Sequence, residues 1–165
     1  MLLDVTPDSF EALYLLGIVA EQTGRAEEAV GLLSKAVAVK PGVADAHYNL
    51  GVALGELKRT VEAVESYERA IALRSDYADA YFNRGVALAE LDHPGEAVES
   101  YDRAIAIQPD YAEAYNNRGI ALSRLQRYVE ALASYEGAIA HKPDYAGPTT
   151  IVALRCVISS GMRRR

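Results

Sequence analysis

The 165-residue chain carries 23 acidic and 17 basic side chains, a net charge of −6, and half of its residues are apolar. This composition is typical of a folded protein with one substantial core, and its negative charge argues against nucleic-acid partners, which require clustered cations. A single cysteine, Cys156, excludes an intramolecular disulfide, and no apolar run approaches the roughly 20 residues that span a bilayer. Because the start also lacks the basic segment of a signal peptide, we expect a cytoplasmic protein with no membrane partner.

The chain repeats itself with a period of 34 residues. The glycines of this period are Gly17, Gly51, Gly85 and Gly119. Two series of alanines follow the same step, namely Ala29, Ala63, Ala97 and Ala131, and Ala36, Ala70, Ala104 and Ala138. A fixed period of this length predicts stacked supersecondary units, each of which contacts only its neighbours.

Each period predicts two helices. In the third period, Tyr81, Gly85 and Leu88 fall on one stripe at helical spacing. Between that helix and the next, Asp92 is a candidate N-cap. Pro94 suits the first turn of the second helix, because the N–H that proline lacks would have no helical partner there.

The whole pattern resembles the tetratricopeptide repeat. In the third period it is carried by Tyr81, Gly85, Ala97, Tyr101, Ala104 and Pro109. The resemblance covers four repeats, at residues 10–43, 44–77, 78–111 and 112–145, and residues 1–9 look like the end of a preceding repeat helix. It implies an all-α fold, a right-handed superhelical solenoid of antiparallel helix pairs. Arg84 and Arg118 depart from the pattern, which usually has Leu before the glycine, and this leaves the packing of their helices open.

Residues 146–165 abandon the pattern. Earlier repeats continue from Asp-Tyr-Ala into a helix, whereas Gly147 and Pro148 follow here. Suppose that the DNA once encoded Glu-Ala-Tyr-Asn-Asn-Arg-Gly from position 147 onward. Codons for these residues exist that, after loss of one base from the glutamate codon, encode residues 147–153 of this tail. We therefore predict a frameshifted fifth repeat, a hypothesis that fails if no single-base shift of the coding DNA restores the repeat. The apolar tail and the ends of the array also favour homo-oligomers.

No catalytic or metal-binding constellation is visible in the sequence. The three histidines, His47, His93 and His141, occupy different positions in their repeats, and none has a second ligand at metal-binding spacing. Cys156 has no evident basic activator on a folded element, and no glycine-rich phosphate loop occurs. We therefore expect a protein that is not an enzyme and that needs no cofactor.

In tetratricopeptide arrays, one side of each first helix lines the concave groove, so the resemblance implies a peptide-binding surface there. The predicted residues are Asp45, Tyr48, Asn49, Val52 and Glu56 in the second repeat; Asp79, Phe82, Asn83, Val86 and Glu90 in the third; and Glu113, Asn116, Asn117, Ile120 and Arg124 in the fourth. The acidic residues among them predict an extended segment that is neutral to basic.

Asn49, Asn83 and Asn117 share one repeat position. An amide offers both donors and an acceptor, so a series of them can bind the backbone of an extended peptide whatever its sequence. This series resembles the asparagine ladder of O-linked N-acetylglucosamine transferases. The alternative is that these amides only join neighbouring helices.

These patterns favour a noncatalytic protein-interaction scaffold. Two alternatives remain open at this point: a substrate-recruiting fragment of a larger enzyme such as a glycosyltransferase, and a truncated gene remnant that still folds. An undamaged homologous gene that runs several hundred codons past residue 145 would favour the enzyme fragment.

Overall fold

The computed structural model describes residues 9–143, and all the regular secondary structure in that range is helical. The eight helices are α1 (Phe10–Gln22), α2 (Ala26–Val39), α3 (Ala44–Glu56), α4 (Thr60–Leu73), α5 (Ala78–Glu90), α6 (Pro94–Ile107), α7 (Ala112–Arg124) and α8 (Tyr128–His141). The odd-numbered helices are the first helices of their repeats, and the even-numbered ones are the second helices. The predicted tail at 146–165 and most of the predicted preceding helix at 1–9 lie outside the described residues.

The chain forms two compact units, Met1–Asn83 and Arg84–Arg165, and their boundary falls inside α5. In the first unit, α2 packs against both α1 and α3, and α3 packs against α4. In the second unit, α7 packs against both α6 and α8. No helix among residues 9–143 is long and apolar enough to cross a membrane.

The turn between the first and second helices of each repeat is built the same way. One residue takes a left-handed conformation, with φ between 59° and 73°; these residues are Gly24, Lys58, Asp92 and Gln126. After α5, the N–H of Asp92 donates to the carbonyl of Ala89, and that of His93 donates to the carbonyl of Leu88. These two bonds form a Schellman motif, which satisfies the last carbonyls of the helix.

Asp92 therefore does not cap α6 as its residue type predicts. It closes α5 in the left-handed position, and His93 occupies the N-cap of α6 without a side-chain capping bond. His93 Nδ1 instead lies 2.9 Å from the carboxylate of Glu96. Pro94 opens α6, as predicted.

A close approach between the two helices of a repeat explains the periodic glycine. A β-carbon built on Gly51 would lie 2.6 Å from Cε1 of Tyr67, and one on Gly119 would lie 2.6 Å from Cε1 of Tyr135. Both tyrosines are buried, so their rings cannot move aside. In the second to fourth repeats, glycine is thus required at this position because the tyrosine ring of the second helix occupies the space of its side chain; in the first repeat, Leu33 occupies the corresponding space at Gly17.

The arginines that precede this glycine are accommodated by serines on the second helix. Arg84 Nη1 donates to Ser100 Oγ at 2.7 Å, and Arg118 Nη1 donates to Ser134 Oγ at 2.6 Å. Both serines are 1% exposed and donate in turn to a backbone carbonyl of their own helix. In these two repeats a hydrogen bond therefore joins the arginine of the first helix to a serine of the second helix.

Candidate functional site

Two of the predicted asparagines join successive first helices. Asn49 Nδ2 donates to the hydroxyl of Tyr14 at 2.9 Å, and Asn83 Nδ2 donates to the hydroxyl of Tyr48 at 3.0 Å. Both amides are half-buried. Each bond occupies one N–H of the amide, whose chemistry provides a second N–H and an acceptor oxygen besides. These two residues therefore do join neighbouring helices, and each amide still has one N–H and its oxygen for a hydrogen bond to a ligand.

Asn117 has a different environment. The residue that corresponds to Tyr14 and Tyr48 is Phe82 in the third repeat, which has no hydroxyl. Asn117 is hydrogen-bonded to the hydroxyl of Tyr101, and burial of that tyrosine raises its pKa above the ordinary value.

Asn116, which was predicted to line the groove, is buried, with 7% of its surface exposed. Its Nδ2 donates to Oδ1 of Asn117 at 3.3 Å. The position holds large aromatic rings in the other repeats, namely Tyr14, Tyr48 and Phe82. The shorter Asn116 side chain is covered by its neighbours, so it supports Asn117 and offers little surface of its own to a ligand.

Two predicted acidic residues form ion pairs within their own repeats. Asp45 accepts a hydrogen bond from Arg74 Nη2 at 2.8 Å and another from the Tyr77 hydroxyl at 2.9 Å. Glu113 accepts from Lys142 Nζ at 3.0 Å. The pKa of Asp45 is lowered mainly by the bond from Arg74, and that of Glu113 mainly by the bond from Lys142. These pairs neutralise part of the predicted negative lining.

Tyr48 is held by aromatic neighbours as well as by Asn83. Its ring centroid lies 4.9 Å from that of Tyr77 and 6.0 Å from that of Tyr67. Burial is the main reason that the pKa of Tyr48 is raised. The guanidinium of Arg74 lies over the Tyr77 ring, 4.3 Å from its centroid. This aromatic cluster fixes the first helix of the second repeat against its own second helix.

A cavity of about 220 Å³ lies in the second unit, between α7 and the carboxyl-terminal half of α5. It is lined by Val86, Ala89, Glu90, Tyr101, Asn117, Ile120, Ala121 and Arg124. Five of these were predicted from the sequence: Val86, Glu90, Asn117, Ile120 and Arg124. Sequence reasoning missed two alanines, Ala89 and Ala121, whose small size makes room for the cavity. It named Tyr101 only as part of the repeat pattern.

The charged groups at the cavity are on its exposed edge. Glu90 and Arg124 are both exposed. Arg124 Nη1 donates to the carbonyl oxygen of Ala89 at 3.1 Å and lies 3.9 Å from the carboxylate of Asp92. These contacts hold the guanidinium at the edge of the cavity.

The remaining predicted residues lie elsewhere in the first unit. Val52 and Phe82 are half-buried, whereas Glu56 and Asp79 are exposed. Within residues 9–143, no group of three or more His, Cys, Asp or Glu side chains is arranged to hold a metal ion.

Comparison with known proteins identifies the repeats. Residues 56–92 and 95–126 match a family model described as TPR repeat. Models described as tetratricopeptide repeat match residues 2–44 and 112–145. No curated protein matches the sequence.

Solved structures give the same result. A structure of MamA is 30% identical, covers 87% of this chain and 84% of its own, and has a TM-score of 0.82. The Arabidopsis OM64 TPR domain is also 30% identical, covers 72% of this chain and 96% of its own, and has a TM-score of 0.67. YrrB, described as a TPR protein with an unusual peptide-binding site, covers 97% of this chain and 81% of its own at a TM-score of 0.84; its 19% identity bears on the fold alone. The eight helices are thus those of a tetratricopeptide-type solenoid, and the chain belongs to the tetratricopeptide repeat family.

Proposed function

We propose that the chain is a noncatalytic protein-interaction scaffold that binds an extended peptide along the predicted concave side of its first helices. Membership of the tetratricopeptide repeat family supports an interaction role, as does the peptide-binding site for which the structurally similar YrrB is described. The observation that carries the proposal is the set of half-buried amides at one repeat position, Asn49, Asn83 and Asn117.

The tyrosine hydroxyls prepare two of these amides for a ligand. The bonds to Tyr14 and Tyr48 restrict rotation of the Asn49 and Asn83 side chains. A side chain that is already ordered loses less conformational entropy on binding, which favours affinity. The amides then offer an acceptor and a donor to the backbone of an extended segment, in the manner of the asparagine ladder of O-linked N-acetylglucosamine transferases.

Charge favours a segment that is neutral to basic. Recognition of an acidic segment needs cations that are available to its carboxylates. Arg74 and Lys142 are already paired with Asp45 and Glu113, and Arg124 is held near Asp92. Asp79 contributes a further carboxylate on the exposed surface of the first unit.

The experiment must separate the amide as a ligand contact from the amide as a link between helices. Asn49→Ala removes both roles, whereas Tyr14→Phe removes only the link, because the Asn49 amide remains. We expect random peptides selected on the full chain to lose about 2- to 10-fold in affinity for Asn49→Ala, which corresponds to the net loss of one hydrogen bond. Tyr14→Phe should cost less, about 2-fold or under, because it removes only the ordering of the amide.

Asn117→Ala provides a second test in the other unit, since it leaves both tyrosine links intact. Equal losses in Asn49→Ala and Tyr14→Phe, with no loss in Asn117→Ala, would show that the amides only join helices. Circular dichroism of each variant establishes that the compared proteins are equally folded.

A further inference from the structure

We propose that the cavity in the second unit is an anchor site for one apolar side chain, between leucine and phenylalanine in size, of a neutral extended segment. This inference rests on the proposed function, because it names the chemistry of the bound peptide at one position. Here we call the cavity lined by α5 and α7 the anchor cavity.

The walls of the anchor cavity are apolar. Val86 and Ala89 line it from α5, and Ile120 and Ala121 line it from α7. Its volume is about 220 Å³. An apolar cavity of about 150 Å³ in a protein core is large enough to bind benzene. The anchor cavity therefore has room for a branched aliphatic chain or an aromatic ring. Burial against its apolar walls is favourable for such a group and unfavourable for a polar side chain.

One corner of the cavity is polar. It contains the Asn117 amide and the Tyr101 hydroxyl, which are hydrogen-bonded to each other. Asn49 and Asn83, by contrast, are tied to a tyrosine of the preceding first helix. Asn117 thus borders an apolar cavity, so a segment bonded to it through its backbone can place the adjacent side chain inside.

The rim decides the charge of the segment. Glu90 and Arg124 contribute one negative and one positive charge, and Arg124 is held by the carbonyl of Ala89. The carboxylate of Asp92 lies 3.9 Å from Arg124, so the rim as a whole is slightly negative and disfavours an acidic anchor. Any charged group that entered the apolar interior would have to give up its hydration without a buried partner. The complementary occupant is therefore a neutral, apolar side chain.

The test is selection of a displayed random heptapeptide library on the full chain, followed by affinity measurement of the selected peptides with variants. Ala89→Leu fills the cavity from a half-buried helical position, and leucine is a good helix former. Ala106→Leu makes the same change at an exposed position of α6 in the same unit and serves as the control. We expect Leu, Ile, Met or Phe to be enriched at one position of the selected peptides. Ala89→Leu should then weaken their binding about 10- to 100-fold, whereas Ala106→Leu should not.

Ile120→Ser provides a second variant, which makes the wall polar without filling the space, and it should also weaken binding of the same peptides. Selected peptides that lack an apolar position but lose affinity for Asn49→Ala would overturn the anchor site and leave the proposed function standing. Undiminished binding to folded Ala89→Leu would also overturn the anchor site. A library from which no peptide is selected would overturn both.

Discussion

Gly85 lies so close to Tyr101 that a β-carbon on the glycine would be 2.6 Å from Cε1 of the ring and 2.9 Å from Cδ1. Tyr101 is 1% exposed, so the surrounding side chains leave no space into which the ring could shift. We expect Gly85→Ala to lower the free energy of unfolding by about 1–2 kcal/mol, because the overpacking exceeds the gain in helix propensity.

Gly31→Ala is the matched control for that change. Gly31 lies inside α2 with no atom within 4 Å of a built β-carbon, so only the propensity gain applies. It should raise the free energy of unfolding by about 0.5–1 kcal/mol. Urea denaturation followed by circular dichroism measures both, and a stabilising effect of Gly85→Ala would show that the helices can separate without cost.

Arg118 takes the place of an apolar residue and compensates with two polar partners. It donates to Ser134 Oγ at 2.6 Å and pairs with the carboxylate of Asp102, and its side chain is 22% exposed. Arg118→Ala removes these bonds and the packing of the side-chain stem, at a cost of about 1–2 kcal/mol. Arg118→Leu keeps most of the packing and should cost about half as much. Equal losses in the two variants would mean that the polar bonds alone stabilise this position.

The first unit supplies a pH-dependent contribution to stability. Arg74 and, to a lesser degree, the Tyr77 hydroxyl lower the pKa of Asp45 below its ordinary value. A carboxyl group whose pKa is lower in the folded state than in the unfolded state stabilises the fold. This stabilisation is fully present at pH values above the unfolded-state pKa of about 4, and it is lost as the pH falls through the folded-state pKa. Since the side chains of Arg74 and Asp45 are 41% and 44% exposed, the contribution is below about 1 kcal/mol.

Asp45→Asn tests that sign. The stability difference between wild type and Asp45→Asn should be present at pH 7 and should shrink as the pH falls below about 4. A difference that stays constant between pH 7 and pH 2.5 would contradict the ion pair as its origin.

Much of the fold can be predicted from the sequence because its interactions are periodic. The alternation of two helices, and glycines facing tyrosines such as Gly85 and Tyr101, follow from residue types that recur every 34 positions. The turn at Asp92 was misread, because aspartate favours an N-cap in general and the Schellman motif instead uses it as the left-handed residue. The hydrogen-bond partner of Arg118 could not be predicted from the sequence, because the serine that accepts its bond is 16 residues away on another helix.

The candidate site was predictable to a similar degree. Helical spacing identified Asn117, Ile120 and Arg124 as one face, and the cavity brings them together. Spacing alone does not reveal that Asn49 is bonded to Tyr14, because that contact depends on how two helices of successive repeats stack. Helical spacing also does not predict the cavity, because the cavity depends on the small size of residues such as Ala121.

The relative effects of Arg74 and Tyr77 on the pKa of Asp45 give a final prediction. The hydrogen bond from Arg74 lowers the pKa of Asp45 more than the bond from Tyr77 does. Arg74→Gln should therefore raise the Asp45 pKa toward its ordinary value by more than Tyr77→Phe, which leaves the cation in place. Carbon-detected NMR titration of the Asp45 carboxyl group in the three proteins measures the shifts directly. A larger shift in Tyr77→Phe would assign the main stabilisation of the carboxylate to the Tyr77 hydroxyl. Arg74 would then contribute chiefly through its stacking on the Tyr77 ring, 4.3 Å from the centroid.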